Sequence, residues 1–408
     1  MLSQLIYRSH ALTDLSDVEL EKIVSTSQLN NKSLNITGIL LYADKYFMQV
    51  LEGPTREVER LFARIQSDDR HTEVVLVSVH PIHLRRFDQW SMQWVPASKY
   101  SGNGLPVKAV PSDLIAAYLN FDDRTSRILD AFIQGRWRST PTHTPPPWRT
   151  HDFSPPITQS QSTTSTTPIP ISFAFQPIVE TSSGEVVAFE ALIRGPTGEL
   201  AMDFLNGVST ADVHRFDLES KADAIQRAAQ LGVRCRLAVN LLPKSLTNAP
   251  EAVSFLIKQI RTCGIKPEQL IVELTEEEAI ANPLLFQNMV RQLRASGIQI
   301  AIDDFGAGYA GLSLLAEFQP DILKIDKKII QGVAANGPRQ AIVRAIVEFC
   351  ICLGIRVIAE GIENQEDWQW LESAGVHWFQ GNLYAEPGLN QIPTINWPLP
   401  HKEFSTPR

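Results

Sequence analysis

Apolar positions recur along this chain in two distinct rhythms, separated by a stretch that has neither. Before residue 139 the order reads strand, helix, two strands, helix, two strands. Leu2–Tyr7 is a short apolar run. Ser16 followed by Glu19 has the spacing of a capping box, and Leu20, Ile23 and Val24 give the next helix its buried stripe. Ile36–Tyr42 and Tyr46–Leu51 flank Ala43-Asp44-Lys45, a hairpin-length connection. Val58, Leu61, Phe62 and Ile65 recur at i, i+3, i+4 and i+7, which predicts a second amphipathic helix. Val74–Val79 and Met92–Val95 complete the strands. Two helices on one face of a mixed sheet is an α+β, ferredoxin-like arrangement. Helical pieces between Ser112 and Trp137 are expected to cover the sheet or to extend toward a partner domain.

Residues 139–170, STPTHTPPPWRTHDFSPPITQSQSTTSTTPIP, are dense in Pro, Ser and Thr and bury little, which marks a linker. After it come eight short apolar runs that each end at a polar residue: Phe173–Val179, Val186–Ile193, Leu237–Leu241, Leu270–Leu274, Ile298–Ile302, Ile322–Ile325, Val357–Ala359 and Val376–Phe379. Most are separated by helix-length amphipathic stretches, and such alternation predicts a β/α barrel. Only Glu180–Glu185 joins the first two runs, too short for a parallel crossover. The expectation is therefore a modified, TIM-like (β/α)8 barrel with one antiparallel strand, and an α/β two-domain protein overall.

Functional groups of such barrels gather at the C-terminal ends of the strands. Here those ends carry Glu190, Asn240, Glu273, Asp303 with Asp304, Lys324, Glu360 and Gln380. Carboxylates brought together on one mouth repel one another, and hard divalent cations relieve that repulsion. All-oxygen donors suit Mg²⁺ or Mn²⁺, and adjacent Asp303 and Asp304 could bridge two ions. Each acidic residue could alternatively cap the following helix, but caps need no such regularity across successive strands. Lys324, inside the run DILKID, would either snorkel to solvent or face the site and orient a water.

A net charge of −8 with no long basic run argues against a nucleic-acid polymer as partner, and leaves a small phosphorylated ligand open if metals supply positive charge. No apolar run approaches membrane-spanning length, and the N-terminus lacks the pattern of a signal peptide, so a cytoplasmic protein away from the membrane is expected. Cys235, Cys263, Cys350 and Cys352 show no zinc-type spacing, and Cys350 and Cys352 are read as buried thiols.

The segments FEALIRG (189–195), AVNLLP (238–243), IVELTEEE (271–278), AIDDFGAGYAGLSLL (301–315), LKIDKKII (323–330), VIAEGIE (357–363) and FQGNLYAEP (379–387) resemble the bacterial EAL-domain cyclic di-GMP phosphodiesterases. The resemblance implies hydrolysis of cyclic di-GMP to linear pGpG. It assigns one metal to Glu190, Asn240, Glu273 and Asp303, and a second to Asp303, Asp304 and Glu360. Lys324 and Gln380 would position the attacking water, with Asp303 and Glu360 completing the catalytic set. Leu192, Arg194, Asn240 and Gln380 would contact substrate, and Glu276 and Glu363 would brace the loop after Asp304. A homodimer through this domain is also implied. Ala307, Ala310 and Gly311 stand where Thr and Ser are common, and Asn382 replaces a usual aromatic; none of the four is a metal ligand.

The first domain has no Gly-rich phosphate loop, Ser/His/Asp set or metal cluster, so a small sensor or binding domain is inferred. Tyr7 and Gln49 fall inside predicted strands, where a glutamine is costly unless hydrogen-bonded. Two readings stand on spacing alone: an ordinary Tyr–Gln core contact, or a pair facing a ligand with its own donors and acceptors. LIYRSHA (5–11), NNKSLNITGILLYADKYFMQVLEG (30–53) and DQWSMQW (88–94) resemble BLUF domains, blue-light sensors that use FAD. By that resemblance Tyr7 and Gln49 are the photoactive pair, Asn31 fixes the flavin edge, and Trp90 and Met92 report on the last strand, although strand packing also favours such residues. The expected organisation is a BLUF domain at 1–95, a helical coupling segment at 96–138, the linker at 139–170 and an EAL domain at 171–400. Light is expected to shift the last BLUF strand and the helices between Ser112 and Trp137, pressing on the barrel near Asp303–Leu315. The alternative is a non-catalytic cyclic di-GMP receptor that signals by contact.

Overall fold

The computed structural model describes residues 1–68, 71–96, 123–139, 170–201, 212–247, 251–275, 283–306, 315 and 318–398. The linker between its two ends, residues 112–122 of the expected coupling helices, Glu276 and the 307–314 loop lie outside the described residues.

In the first domain β1 (Leu2–Ala11), β2 (Thr37–Ala43), β3 (Tyr46–Pro54), β4 (His71–Ile82) and β5 (Gln93–Pro96) form one sheet in the order β4-β1-β3-β2-β5. The first four strands are mutually antiparallel, as in the ferredoxin-like pattern, and β5 joins β2 in parallel. Helix α1 (Asp17–Ser33) starts on the anticipated Ser16–Glu19 capping box. The β2–β3 connection is tighter than expected. Ala43 pairs with Tyr46, leaving Asp44 and Lys45 with φ of 48° and 69°, the two-residue turn whose twist matches a hairpin.

Alternation sorts the strands into two faces. Leu5, Tyr7, Leu40 and Leu51 pack under Leu20 and Val24 of α1 and under Val58 and Phe62 of α2 (Thr55–Gln66). Ile6, Ile39, Met48 and Val50 face the other way and are covered by Ile128, Leu129 and Phe132 of α3 (Arg124–Ile133). The expected covering role of this region is thus met by α3.

In the second domain the eight anticipated runs become β6 (Ser172–Glu180), β7 (Glu185–Arg194), β8 (Arg236–Asn240), β9 (Leu270–Thr275), β10 (Gln299–Phe305), β11 (Ile322–Ile325), β12 (Arg356–Ala359) and β13 (Trp378–Gln380). They close in sequence order, because β13 pairs back onto β6. Only β6 runs against its neighbours in this ring, antiparallel to both β7 and β13, as the six-residue connection requires. A short β14 (Gly388–Leu389) adds to β6 outside the ring. Among the described residues no helix is long and apolar enough to cross a membrane. Cys350 is buried as expected, whereas Cys352 is half-buried, with Sγ 3.7 Å from the Arg136 carbonyl.

The same α3 that covers the sensor sheet docks on the barrel. Arg124 Nε donates to the Leu353 carbonyl at 2.9 Å, and Arg127 Nε donates to Gly354 at 2.8 Å. Both acceptors end the helix Gly337–Cys352, where carbonyls lack intrahelical partners and the helix dipole favours cations. Gly354 is needed there. Its φ is +65°, and a Cβ would lie 2.5 Å from the Arg124 carbonyl.

The base of the barrel is sealed by Trp378, buried among Ile178, Ile271, Ile322, Ile358 and three alanines. Arg236 and Arg356 lie over its ring at 5.3 and 4.5 Å. Trp378→Ala is expected to lower stability by about 3–5 kcal/mol, the range for emptying a large aromatic site. Denaturant unfolding monitored at the barrel transition measures this, and an unchanged midpoint would show that the base does not depend on the plug.

Candidate functional site

In a closed barrel, alternate residues of each strand point inward. One inward layer is apolar: Ile178, Ala188, Ala238, Ile271, Ala301, Ile322, Ile358 and Trp378, one residue from each strand of the ring. Two residues further along the parallel strands come Glu190, Asn240, Glu273, Asp303, Lys324, Glu360 and Gln380. Two residues back along the reversed β6 comes Gln176. Strand register therefore sets the site directly above its own apolar floor. The described barrel helices take their side-chain caps from other residues, namely Asp326, Asn336 and Asn364, which removes the capping explanation.

Lys324 is the hub of this layer and is 1% exposed. Its Nζ lies 2.6 Å from Glu360 Oε1, 2.9 Å from Glu273 Oε1, 3.1 Å from Asp303 Oδ1 and 3.3 Å from Glu190 Oε2. Lys324 thus faces the site rather than solvent. Burial alone would lower its pKa, but Asp303, Glu190, Glu273 and Glu360 outweigh that and hold it well above the usual lysine value. Glu190 is the best-served carboxylate. Burial works to raise its pKa, yet Lys324, a 2.7 Å hydrogen bond from Gln380 Nε2 and a 2.8 Å bond from Asn240 Nδ2 keep it below the usual range.

The remaining acids are under-compensated. Burial, reinforced by the charge of Glu190, pushes Glu273 well above the carboxylate range, and while its Oε1 faces Lys324 at 2.9 Å, its buried Oε2 accepts no hydrogen bond among the described residues. Burial also raises Glu360, with Asp303 and Glu190 adding to it. Asp304 is pushed up to about 6 by burial and by Asp303 beside it. It sits at φ 54°, and its backbone N–H donates to Asp303 Oδ1 at 3.0 Å. Ligand atoms of Glu190, Glu273 and Asp303 lie within 4.8 Å of one another, as do those of Asp303, Asp304 and Glu360. Two acidic triads sharing one aspartate, with an orphaned oxygen, fit two hard divalent cations. The cavity above them is about 350 Å³ and is lined by Gln176, Asp326 and Lys327 together with Glu190, Asp303, Asp304, Lys324, Glu360, Glu363 and Gln380, whereas Asn240 and Glu273 are not part of its lining. Gln380 Oε1 is buried and accepts nothing among the described residues.

Other expected residues sit further out. Leu192 and Arg194 follow Glu190 on the same face of β7, half-buried, and Arg194 Nη1 donates to the Ile193 carbonyl at 2.9 Å instead of reaching into the cavity. Glu363 lines the cavity rim and pairs with Lys327. Gln176 was missed by inspection of strand C-termini. Because β6 is reversed, its contribution to the mouth comes from nearer its N-terminal half, where Gln176 Oε1 accepts from Gln380 at 3.0 Å.

The first domain holds a cavity of about 610 Å³ between the sheet, α1 and α2, a size suited to a cofactor ring system. Tyr7, Asn31 and Gln49 line it. Tyr7 OH donates to Gln49 Oε1, and Gln49 Nε2 lies 3.2 Å from Met92 Sδ, so Gln49 links strands β1 and β3 to the start of β5. Burial, then Asp68, raises the Tyr7 pKa far above that of free tyrosine, which keeps its proton on the phenol. Asn31 Nδ2 donates to the Ser91 carbonyl at 2.9 Å. Trp90 is placed elsewhere: it stacks on Phe87 with ring centroids 6.2 Å apart, in the layer covered by α3, away from the cavity.

Comparison with known proteins agrees with both halves. Residues 170–387 match the EAL domain, and residues 2–93 match BLUF, "Sensors of blue-light using FAD". The blue light- and temperature-regulated antirepressor BluF of Escherichia coli K12 is 37% identical over 403 residues, covering 98% of this chain and 99% of the relative. Klebsiella pneumoniae BlrP1, solved as a manganese/cy-diGMP complex at pH 9.0, is 38% identical with a TM-score of 0.56, covering 98% of this chain and 100% of that one. The cyclic di-GMP phosphodiesterase PdeR of E. coli is 31% identical over 222 residues, 52% of this chain and 33% of that relative. This chain belongs to the EAL-domain family and carries a BLUF domain ahead of its barrel.

Proposed function

We propose that the protein is a blue-light-regulated phosphodiesterase that hydrolyses cyclic di-GMP to linear pGpG. The pair of carboxylate triads sharing Asp303, set around Lys324 and Gln380, carries this reading. Two Mg²⁺ or Mn²⁺ ions would bind, one by Glu190, Asn240, Glu273 and Asp303 and the other by Asp303, Asp304 and Glu360. When bound, they act as Lewis acids that offset charge on the phosphoryl oxygens and the leaving group. FAD would occupy the first-domain cavity against Tyr7, Asn31 and Gln49, with Met92 beside Gln49. The domain limits inferred from sequence, a homodimer through the EAL domain and a cytoplasmic location belong to the same proposal.

The protein's own groups have separable tasks. Lys324 stays protonated beside its carboxylates, so it serves as a fixed donor to the water or phosphoryl oxygen and not as a base. Gln380 is anchored through Nε2 to Glu190 and Gln176, which leaves Oε1 to orient a water O–H. Glu360, whose carboxylate faces Lys324 at 2.6 Å at the cavity, is assigned to take the water's proton as the new P–O bond forms and the bond to the sugar oxygen breaks. Arg194, on the same face of β7 as Glu190, is assigned to a substrate phosphate, which requires its guanidinium to turn from the Ile193 carbonyl. Glu363, paired with Lys327, supports the rim. Glu276 is assigned a loop-bracing role.

A second reading has one specific observation in its favour. One relative that matches this chain over nearly its whole length is named an antirepressor, which fits an EAL domain signalling by contact. Turnover decides between the two. Flavin-loaded protein with Mn²⁺ is expected to form pGpG at a rate that differs between dark and blue light. Glu190→Ala should lower that rate by about 100-fold or more, since even outer-sphere partners of metal sites contribute ~10–100-fold. Binding of cyclic di-GMP without any pGpG would establish the contact reading.

Two further outcomes follow from the local chemistry. Divalent cations compete with protons for Glu273, Glu360 and Asp304, so Mn²⁺ affinity should rise as pH increases through about 6, the Asp304 value. Calorimetric titration at several pH values tests this, and pH-independent affinity would contradict it. Tyr7→Phe keeps the ring but removes the hydroxyl that Gln49 accepts. The variant is expected to bind flavin and to lose the red-shifted absorption after blue light, and a normal light-induced shift would remove Tyr7 from the photoactive pair.

A further inference from the structure

The ladder between β1 and β4 breaks register beside the flavin cavity. Ile6 pairs with Ser78 and Tyr7 pairs with Leu76, so Val77 is the extra residue of a β-bulge opposite the photoactive tyrosine. β4 is also the outer strand of the sensor sheet. The Val77 carbonyl is met across the domain boundary by Gln319, whose Nε2 donates to it at 3.2 Å.

Gln319 is held from several directions. Its Oε1 accepts from Arg124 Nη2 of α3 at 2.5 Å, and its backbone carbonyl accepts from Arg294 on the helix Pro283–Ala295. Its φ of +43° is rare for a residue with a side chain and is kept by these contacts. Two residues later Asp321 is tied to both barrel neighbours of β11. Its Oδ2 accepts from Ile300 N of β10 at 3.0 Å, and its carbonyl accepts from Arg356 N of β12 at 3.0 Å and from Arg127 Nη2 of α3 at 3.3 Å. β11 is only four residues long, and Lys324 is its third.

We propose that Gln319 is the coupling residue of the molecule. Through the Val77 bulge it senses the hydrogen-bond state of Tyr7 and Gln49, and through β11 it sets where Lys324 stands among the carboxylates. This deepens the light-regulated phosphodiesterase reading and rests on it. A bulge is the place where a strand can change its local pairing without loss of the whole ladder, so a new partner for Gln49 and Tyr7 displaces Val77 before the rest of β4. A bridge with one end on that carbonyl and the other on Arg124 passes the displacement to the residues that start β11. Coupling of this kind is reciprocal in binding free energy, so occupation of the acidic mouth must in turn bias the two arrangements of the flavin site. Gln319 touches none of the reacting groups and is a positioning residue.

The test uses the full flavin-loaded chain and two substitutions. Gln319→Glu keeps the length and the acceptor for Arg124 but replaces the donor facing Val77 with an oxygen. Gln319→Gly removes the side chain at a φ that glycine adopts freely. Two ratios are read: cyclic di-GMP turnover in light against dark, and dark recovery of the red-shifted flavin with against without Mn²⁺ and cyclic di-GMP. In the wild type both ratios should differ from one. Each variant should move both toward one by about threefold or more, the scale on which residues along a coupled route act. Where Gln319→Gly fails to load flavin, Gln319→Glu decides. Wild-type ratios that persist undiminished in Gln319→Glu would overturn the coupling role alone. A wild-type turnover ratio of one would overturn the light-regulation reading and this inference with it.

Discussion

Closure of eight strands into a ring forces one residue in two to face inward, and the site depends on that constraint. In this barrel the inward layer at the floor is apolar and the next layer up is polar on every strand. Four carboxylates, those of Glu190, Glu273, Asp303 and Glu360, thereby stand within 3.3 Å of one buried ammonium, that of Lys324. The consequences are visible in the acids themselves: Glu273 and Glu360 are pushed well above the normal range, and the buried Glu273 Oε2 has no hydrogen-bond partner among the described residues. Such a layer is costly in the absence of cations and becomes favourable with them. The apolar floor matters as much as the acids, because Trp378 and its neighbours exclude water from below and keep the effective dielectric low.

The sensor half works by a different economy. Tyr7, Gln49 and Met92 form a short chain of polar contacts at the edge of a large cavity, and exchange of partners within that chain needs no covalent change. A signal of this size can act only if the rest of the molecule has two arrangements of similar energy. The helix α3 is suited to feel both ends, since its apolar face packs on the sensor sheet while Arg124 and Arg127 hold barrel carbonyls. Residues 307–314 of the Asp303–Leu315 loop, where coupling was expected to enter, lie outside the described residues, and the α3 arginines meet the barrel at Gln319, Asp321, Leu353 and Gly354.

Most of this architecture is legible in the sequence because it rests on short-range periodicity. The eight barrel runs were visible as apolar segments, and the reversed β6 followed from a connection too short to cross over. The acidic layer was legible for the same reason, since each member lies in, or just after, the C-terminal half of its strand. Gln176 escaped because the reversal that was recognised for the strand also moves its site residue to the other end. Trp90 sits two residues before Met92 but faces the layer under α3, because the short 3-residue approach to β5 does not hold strict strand alternation. The Val77 bulge and the strained Gln319 carry no sequence signature at all; both arise from contacts between distant segments. Leu192 and Arg194 share the face of β7 that carries Glu190, and the Arg194 guanidinium lies on the Ile193 carbonyl, a direction that strand periodicity does not encode.

The most direct test is a diffraction measurement on crystals grown with Mn²⁺, using anomalous scattering at the manganese edge. The account predicts two anomalous peaks at the barrel mouth about 3.5–4 Å apart, the separation of two-metal hydrolytic sites, with an Asp303 oxygen between them. An empty mouth, or a single ion with Asp303 and Asp304 both turned away, would contradict it.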